Sequence, residues 1–218
     1  MPEIYVACLA SYNDGVHHGE WIDAAQDPED LEREIFTRIL KTSPRPNIHV
    51  EHKTYECRDC FHEFEVPVGT FFPTCRKCDS ILTHLIELPY VASEEWAIHD
   101  YEGFGSYKIG EHEDLNFICA LAQLAEELGD DEGEALMAFA GNLGWSKASE
   151  VDESEFRDKY NGTWASELEY AENYADEFME IPEQMQFYFD YEAFARDIFI
   201  NDLYSIDVSG GNVAVFYH

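Results

Sequence analysis

The chain has 218 residues, 45% of them hydrophobic and 32 of them Phe, Trp or Tyr, which suffices for a real core in one or two domains and excludes disorder. Its formal charge is −33, from 46 acidic and 13 basic residues, so most of the surface cannot bind phosphate, which needs clustered Lys and Arg. The charge is uneven: residues 1–78 carry −6 and residues 79–218 carry −27, whereas adaptation to concentrated salt would acidify both parts alike.

No apolar run reaches the roughly 18 residues of a membrane span. The start Met1-Pro-Glu-Ile-Tyr-Val6 lacks the basic head and apolar centre of a signal peptide. The chain is therefore expected in the cytoplasm, away from membranes, where cysteines stay reduced and paired Cys motifs favour metal over disulfides.

Ile4–Ala10 reads as a strand, Tyr12-Asn-Asp-Gly15 as a turn and Gly19–Asp23 as a second strand. Asp27 caps a helix with Pro28 at its first position, and Leu31, Ile35, Ile39 and Leu40 give it one apolar face up to Lys41. Ser43-Pro-Arg-Pro46 stops it. Glu94–Tyr101 reads as a third strand.

Between helix and third strand lie Cys57-Arg-Asp-Cys60 and Cys75-Arg-Lys-Cys78. Each pair supplies two thiolates from one tight turn, and the four complete a tetrahedral zinc shell with bonds of about 2.3 Å. The strand pattern Phe61–Val66 after the first pair, and Pro73-Thr before the second, make the layout of a zinc ribbon. One structural Zn2+ per chain is expected, with no open position for catalysis. His62 and His84 are spare donors. The segment is either a staple or, with Arg58, Arg76 and Lys77 in its turns, a docking surface. Cys8 and Cys119 sit in apolar surroundings and read as buried small hydrophobes.

Leu115–Leu128 is apolar on most sides and predicts a buried helix. Asp131 is placed to cap a second helix burying Leu136, Phe139 and Leu143 and ending at Gly144. Asp130-Asp-Glu-Gly133 lacks the alternating oxygen ligands of a calcium loop. A short helix is expected over Asp152–Tyr160. In the next, Trp164–Glu180, residues Trp164, Leu168, Ala171, Ala175 and Phe178 share one face. Glu169, Glu172, Asp176 and Glu180 share another, and no basic residue occurs between Lys159 and Arg196. Like charges at such steps destabilise a helix. Alone, they read as a solvated face; in the −27 region they also read as a row of carboxylates imitating phosphates. Pro182–Tyr188 and Asp190–Asn201 are helical candidates, and Leu203–Val208 with Val213–Tyr217 form a hairpin across Ser209-Gly-Gly-Asn212.

No phosphate-binding Gly-rich loop, G-x-S-x-G or H-E-x-x-H is present, so no enzyme is expected. The chain resembles the ArdA antirestriction family over residues 3–41 and 94–218. The resemblance is carried by Ile4-Tyr-Val-Ala7, Tyr12-Asn-Asp-Gly15, Gly19-Glu-Trp21 and Trp96-Ala-Ile-His-Asp-Tyr-Glu102. It continues in Ile181-Pro-Glu183, Phe189-Asp-Tyr-Glu-Ala-Phe-Ala-Arg-Asp197 and the terminal hairpin. It implies an acidic, elongated homodimer of three small domains, carried by mobile elements, whose carboxylates mimic bent B-form DNA and occupy the DNA-binding cleft of type I restriction-modification enzymes. The departure is the ribbon segment at about residues 42–93, nearly balanced in charge.

The expected fold is α+β: an N-terminal α/β domain (1–106) with inserted zinc ribbon, a central helical domain (107–146) and a C-terminal helix-and-hairpin domain (147–218). Candidate partner-binding carboxylates are Glu126, Glu127, Asp130, Asp131, Glu132, Glu134, Glu150, Asp152, Glu153, Glu155, Glu167, Glu169, Glu172, Asp176, Glu177 and Glu180. Direct DNA binding is not expected of the mimic. The alternative is a zinc-ribbon adaptor that binds nucleic acid or a protein without mimicry.

Overall fold

A computed structural model describes residues 1–71 and 73–218. The chain is α+β, and none of the described helices is long and apolar enough to cross a membrane. Strand β1 (Glu3–Cys8) ends two residues before the expected Ala10, because Leu9–Asn13 turn into a short helix, α1. The Tyr12–Gly15 turn follows, closed by the Gly15 N–H donating to the Tyr12 carbonyl at 3.0 Å with Gly15 at φ +75°. Strand β2 spans Gly19–Asp23. Helix α2 (Pro28–Glu34) has the Asp27 carboxylate accepting from the Glu29 N–H at 2.9 Å. It continues as a π-helix over Ile35–Leu40, with Lys41 N–H bonded to the Phe36 carbonyl at 2.9 Å. The wider turn sets Ile35 over Ile39 and Leu40, and all three are buried.

The ribbon segment holds more strand than its sequence announced. A stem pairs β3 (Ile48–Val50) with β7 (Tyr90–Ala92), and a three-stranded sheet of order β5-β4-β6 is built from β4 (His52–Cys57), β5 (Glu63–Pro67) and β6 (Thr83–Glu87). The third expected strand is β8 (Trp96–Glu102), and the order of its sheet is β2-β1-β8.

Helix α3 (Leu115–Leu128) is capped by Asp114, which accepts from the Asn116 N–H at 3.0 Å. Helix α4 (Asp130–Leu143) begins two residues earlier than expected, with Gly129 at the junction and Asp130, Asp131 and Glu132 in its first turn, where the helix dipole favours them. Asp131 is thus inside the helix rather than at its cap. Leu143 is exposed, because burial of Ala135–Ala140 on nearly all sides already fixes the helix. A 3-10 turn (Ala148–Glu150) leads to α5 (Glu153–Lys159), capped by Asp152.

Next comes an unexpected strand, β9 (Tyr160–Trp164), followed by α6 (Glu167–Phe178). Trp164 therefore lies outside the helix, and the helix is anchored by buried Tyr170 with Ala171 and Ala175, while Phe178 is 67% exposed. The reason is the cap: Ser166 accepts from the Glu169 N–H at 3.1 Å, and the Glu169 carboxylate reaches back to the Ala165 N–H at 2.7 Å. Four-residue α7 (Glu183–Gln186), α8 (Tyr191–Asn201), β10 (Leu203–Asp207) and β11 (Val213–Tyr217) complete the chain. The last sheet has order β10-β11-β9.

Compactness divides the chain into two units. One comprises Met1–Tyr5, Trp21–Glu32 and Ile98–His218; the other comprises Val6–Glu20 and Arg33–Ala97. The first is organised on Phe139, whose ring lies 5.1 Å from Phe216, 5.5 Å from Trp145 and 5.8 Å from Phe156. A second cluster of Tyr170, Leu203 and Val215 joins α6 to the hairpin. Helices α3 and α4 approach so closely that a Cβ on Gly133 would stand 2.5 Å from the Ala125 carbonyl oxygen. In the second unit Cys8 is buried, yet it is no plain hydrophobe: its Sγ lies 3.3 Å from Ser43 Oγ, which lies 2.9 Å from Ser11 Oγ. Cys119 does behave as a buried apolar group, with desolvation pushing its thiol up to about 12.

Candidate functional site: a four-cysteine centre and an acidic surface

Cys57 ends β4 and Cys60 closes the turn after it; Cys75 and Cys78 bracket the matching second turn. Each turn is closed by the same bond, Phe61 N–H to the Cys57 carbonyl at 2.8 Å and Asp79 N–H to the Cys75 carbonyl at 2.9 Å. Phe61 and Asp79 leave the turns at φ +53° and +56°. This repeated geometry brings the four Sγ atoms within 4.8 Å of one another, with Cys57–Cys78 and Cys60–Cys75 both at 3.6 Å. The separations exceed a disulfide's and match the spacing of about 3.8 Å that a tetrahedron of about 2.3 Å metal–sulfur bonds requires.

The four thiols do not behave alike. Burial raises Cys75, but hydrogen bonds from the Lys77 and Cys78 backbones outweigh it and bring the thiol down to about 7. Cys78 receives a backbone hydrogen bond from Ser80 that favours its thiolate, yet Cys60, desolvation, Cys57 and Cys75 push it up to about 12. Four thiolates this close need a cation among them. The donor set is soft, closed and able to hold one metal ion. The spare histidines stay outside: the His62 ring stacks on Phe64, and His84 Nε2 lies 3.7 Å from Glu56.

The candidate carboxylates all fall in the first unit, and they divide by what they touch. Seven hold the fold together. Glu169 accepts from the Ala165 N–H just before the α6 cap at 2.7 Å. Asp152 accepts from the Ser154 N–H at 2.8 Å, and Glu150 from the Ser146 and Lys147 N–H groups at 2.8 and 3.0 Å. Glu134 accepts from the Ser209 N–H at 2.7 Å and Glu167 from Ser205 Oγ at 2.7 Å. Arg157 joins the last two, Glu153 at 2.7 Å and Glu132 at 3.3 Å. Local bonds hold Glu150 and Asp152 below the usual carboxylate range, chiefly the Ser146 backbone for the first and the Ser154 hydroxyl for the second.

The other nine are Glu126, Glu127, Asp130, Asp131, Glu155, Glu172, Asp176, Glu177 and Glu180. Each is exposed, and among the described residues none is held by a hydrogen bond or ion pair. Asp176 and Glu177 stand in the last turn of α6, which carries no basic residue, so the helix dipole disfavours them. Glu180 lies two residues past the helix and so does not continue its row. Asp158, Glu192, Asp197, Asp202 and Asp207 are also exposed and were not among the candidates. The turn of α8 after its Asp190 cap is the signal that could have found Glu192 and Asp197.

A family model described as Antirestriction protein (ArdA) matches residues 4–211. The chain belongs to the ArdA antirestriction protein family. The matched residues 4–211 enclose the four-cysteine segment, whose cluster is able to hold a metal ion. No curated protein matches the chain.

Proposed function

We propose that the chain is a non-enzymatic, cytoplasmic antirestriction protein that acts as a DNA mimic. Its acidic surface occupies the DNA-binding cleft of a type I restriction-modification enzyme. The observation that carries this reading is the set of nine exposed, unengaged carboxylates in a region of net charge −27, within a member of an antirestriction family. Like charges crowded without partners destabilise the chain that bears them, and a basic cleft relieves that repulsion. Duplex DNA offers about one charge per 1.7 Å of axis, and clustered Asp and Glu can present comparable density. The mimic needs no sequence reading, so it acts across recognition specificities and does not bind DNA itself.

The remaining parts of the reading follow from the same premises. Zinc is the metal that suits four closed thiolates in a reducing compartment, and its role is a cross-link within the ribbon. Cys57, Cys60, Cys75 and Cys78 would hold it. The chain works as a homodimer of three small domains, at 1–106, 107–146 and 147–218, with the aromatic segment Phe187–Phe199 and the terminal hairpin as candidate interface. The test is a set of charge reversals to Lys at Glu172, Asp176, Glu177 and Glu180, scored by inhibition of DNA cleavage by a type I enzyme. Inhibition should fall; unchanged inhibition by a folded variant removes this face from the site.

A further inference from the structure

Among the described residues, some basic side chains pair with carboxylates and others, such as exposed Lys108 and Arg196, do not. Arg38 meets Glu20 and Glu34, Arg45 meets Asp14, Lys147 meets Glu150, and Arg157 meets Glu132 and Glu153. Arg58, Arg76 and Lys77 are exposed and, among the described residues, in no ion pair, although the chain holds 46 carboxylates. They lie in the two cysteine turns, which the sulfur cluster binds together. Asp59 and Asp79 share these turns, and exposed apolar side chains lie beside the first of them. The Arg58 N–H donates to the Leu82 carbonyl at 2.8 Å and Ser80 Oγ donates to Asp59, which fixes Ile81 and Leu82 beside the first turn. Phe61, Ile81 and Leu82 are 76%, 78% and 56% exposed.

We propose that this knuckle face is a second docking surface, for a carboxylate-bearing, partly apolar protein surface on the same restriction enzyme, outside its cationic cleft. The proposal rests on the DNA-mimic reading and adds to it. A cleft that attracts the acidic unit repels Arg58, Arg76 and Lys77, so these residues meet a surface of opposite sign. Phe and Arg together are the composition of protein interface centres. A nucleic-acid partner fits less well: residues 43–93 hold seven acidic and five basic residues, so the segment carries no net positive charge to draw phosphate.

The test has opposite signs under the two views. The full-length chain with Arg58→Glu, Arg76→Glu and Lys77→Glu is titrated against a purified type I restriction-modification enzyme. Binding through a cationic cleft alone makes this more acidic variant bind equally or more tightly. The knuckle face makes it bind at least about tenfold more weakly, with a matching loss in the pair Phe61→Ser and Ile81→Ser. Absorption of the cobalt-substituted proteins reports whether the four thiolates still hold metal. A role confined to stabilising thiolates weakens metal binding and leaves enzyme affinity intact, which overturns the proposal. So does equal or tighter binding of the triple variant with metal in place; if charge reversal displaces the metal, the apolar pair decides. Absence of binding by the unaltered chain instead removes the mimic reading, and the knuckle proposal with it.

Discussion

Removing the metal should unfold the ribbon and little else. Four buried residues make the ribbon core, Cys57, Phe64, Val66 and Cys75, with Tyr55 and Cys60 against them, so half of the buried core is metal ligand. Burying Phe64 and Val66 contributes about 1.5–3 kcal/mol each, roughly 3–6 together. A structural zinc held by four such ligands contributes about 10–16 kcal/mol. The metal term is therefore the larger by a factor of about two to five, and β4, β5 and β6 have no comparable substitute for it. The first unit draws on aromatic clusters of its own, Phe139, Phe156 and Phe216 with Tyr170, Leu203 and Val215. Backbone amide NMR before and after chelation is the assay. Signals from residues 52–87 should collapse to random-coil positions while those of α3, α4 and α6 stay put. Retained dispersion in the ribbon, or simultaneous loss across the chain, would refute the reasoning.

Four further predictions come from the acidic unit. Ser166→Ala removes the α6 cap and should lower stability by about 1 kcal/mol, read as a urea midpoint shift. Glu172→Gln and Asp176→Gln should leave stability unchanged or slightly raised, since each removes only repulsion. Gly133→Ala drives a Cβ to 2.5 Å from the Ala125 carbonyl and should cost about 1–3 kcal/mol in the same assay; a neutral result would mean α3 and α4 are not so close. Asp152 is depressed in the folded state, so its contribution is present above the unfolded carboxylate pKa and fades as pH falls through and below that range. Asp152→Asn keeps a cap but not the titration, so the stability gap to the unaltered chain should narrow from pH about 6 to about 3.

The sequence announces what depends on local spacing. The two C-x2-C turns, the Asp27 cap and the terminal hairpin all appear where residue pattern alone places them. Features that depend on long-range pairing do not show. Strand β9 reads like a helix start because Trp164 fits the four-and-three rhythm, and it becomes a strand only through pairing with β11 far along the chain. The β3–β7 stem joins residues 40 to 44 positions apart. For the acidic surface, composition names the region but cannot separate the two kinds of carboxylate. Glu169 and Glu172 look alike on a helical wheel, and one closes a cap while the other faces solvent.

The central claim is that the chain takes the place of DNA on its target. Displacement of a fluorescent duplex from a purified type I restriction-modification enzyme, followed by anisotropy, tests this most directly. Near-stoichiometric displacement at low salt, falling off steeply by about 0.5 M salt as the charges are screened, is the result expected. Inhibition of cleavage with the duplex still bound would contradict it.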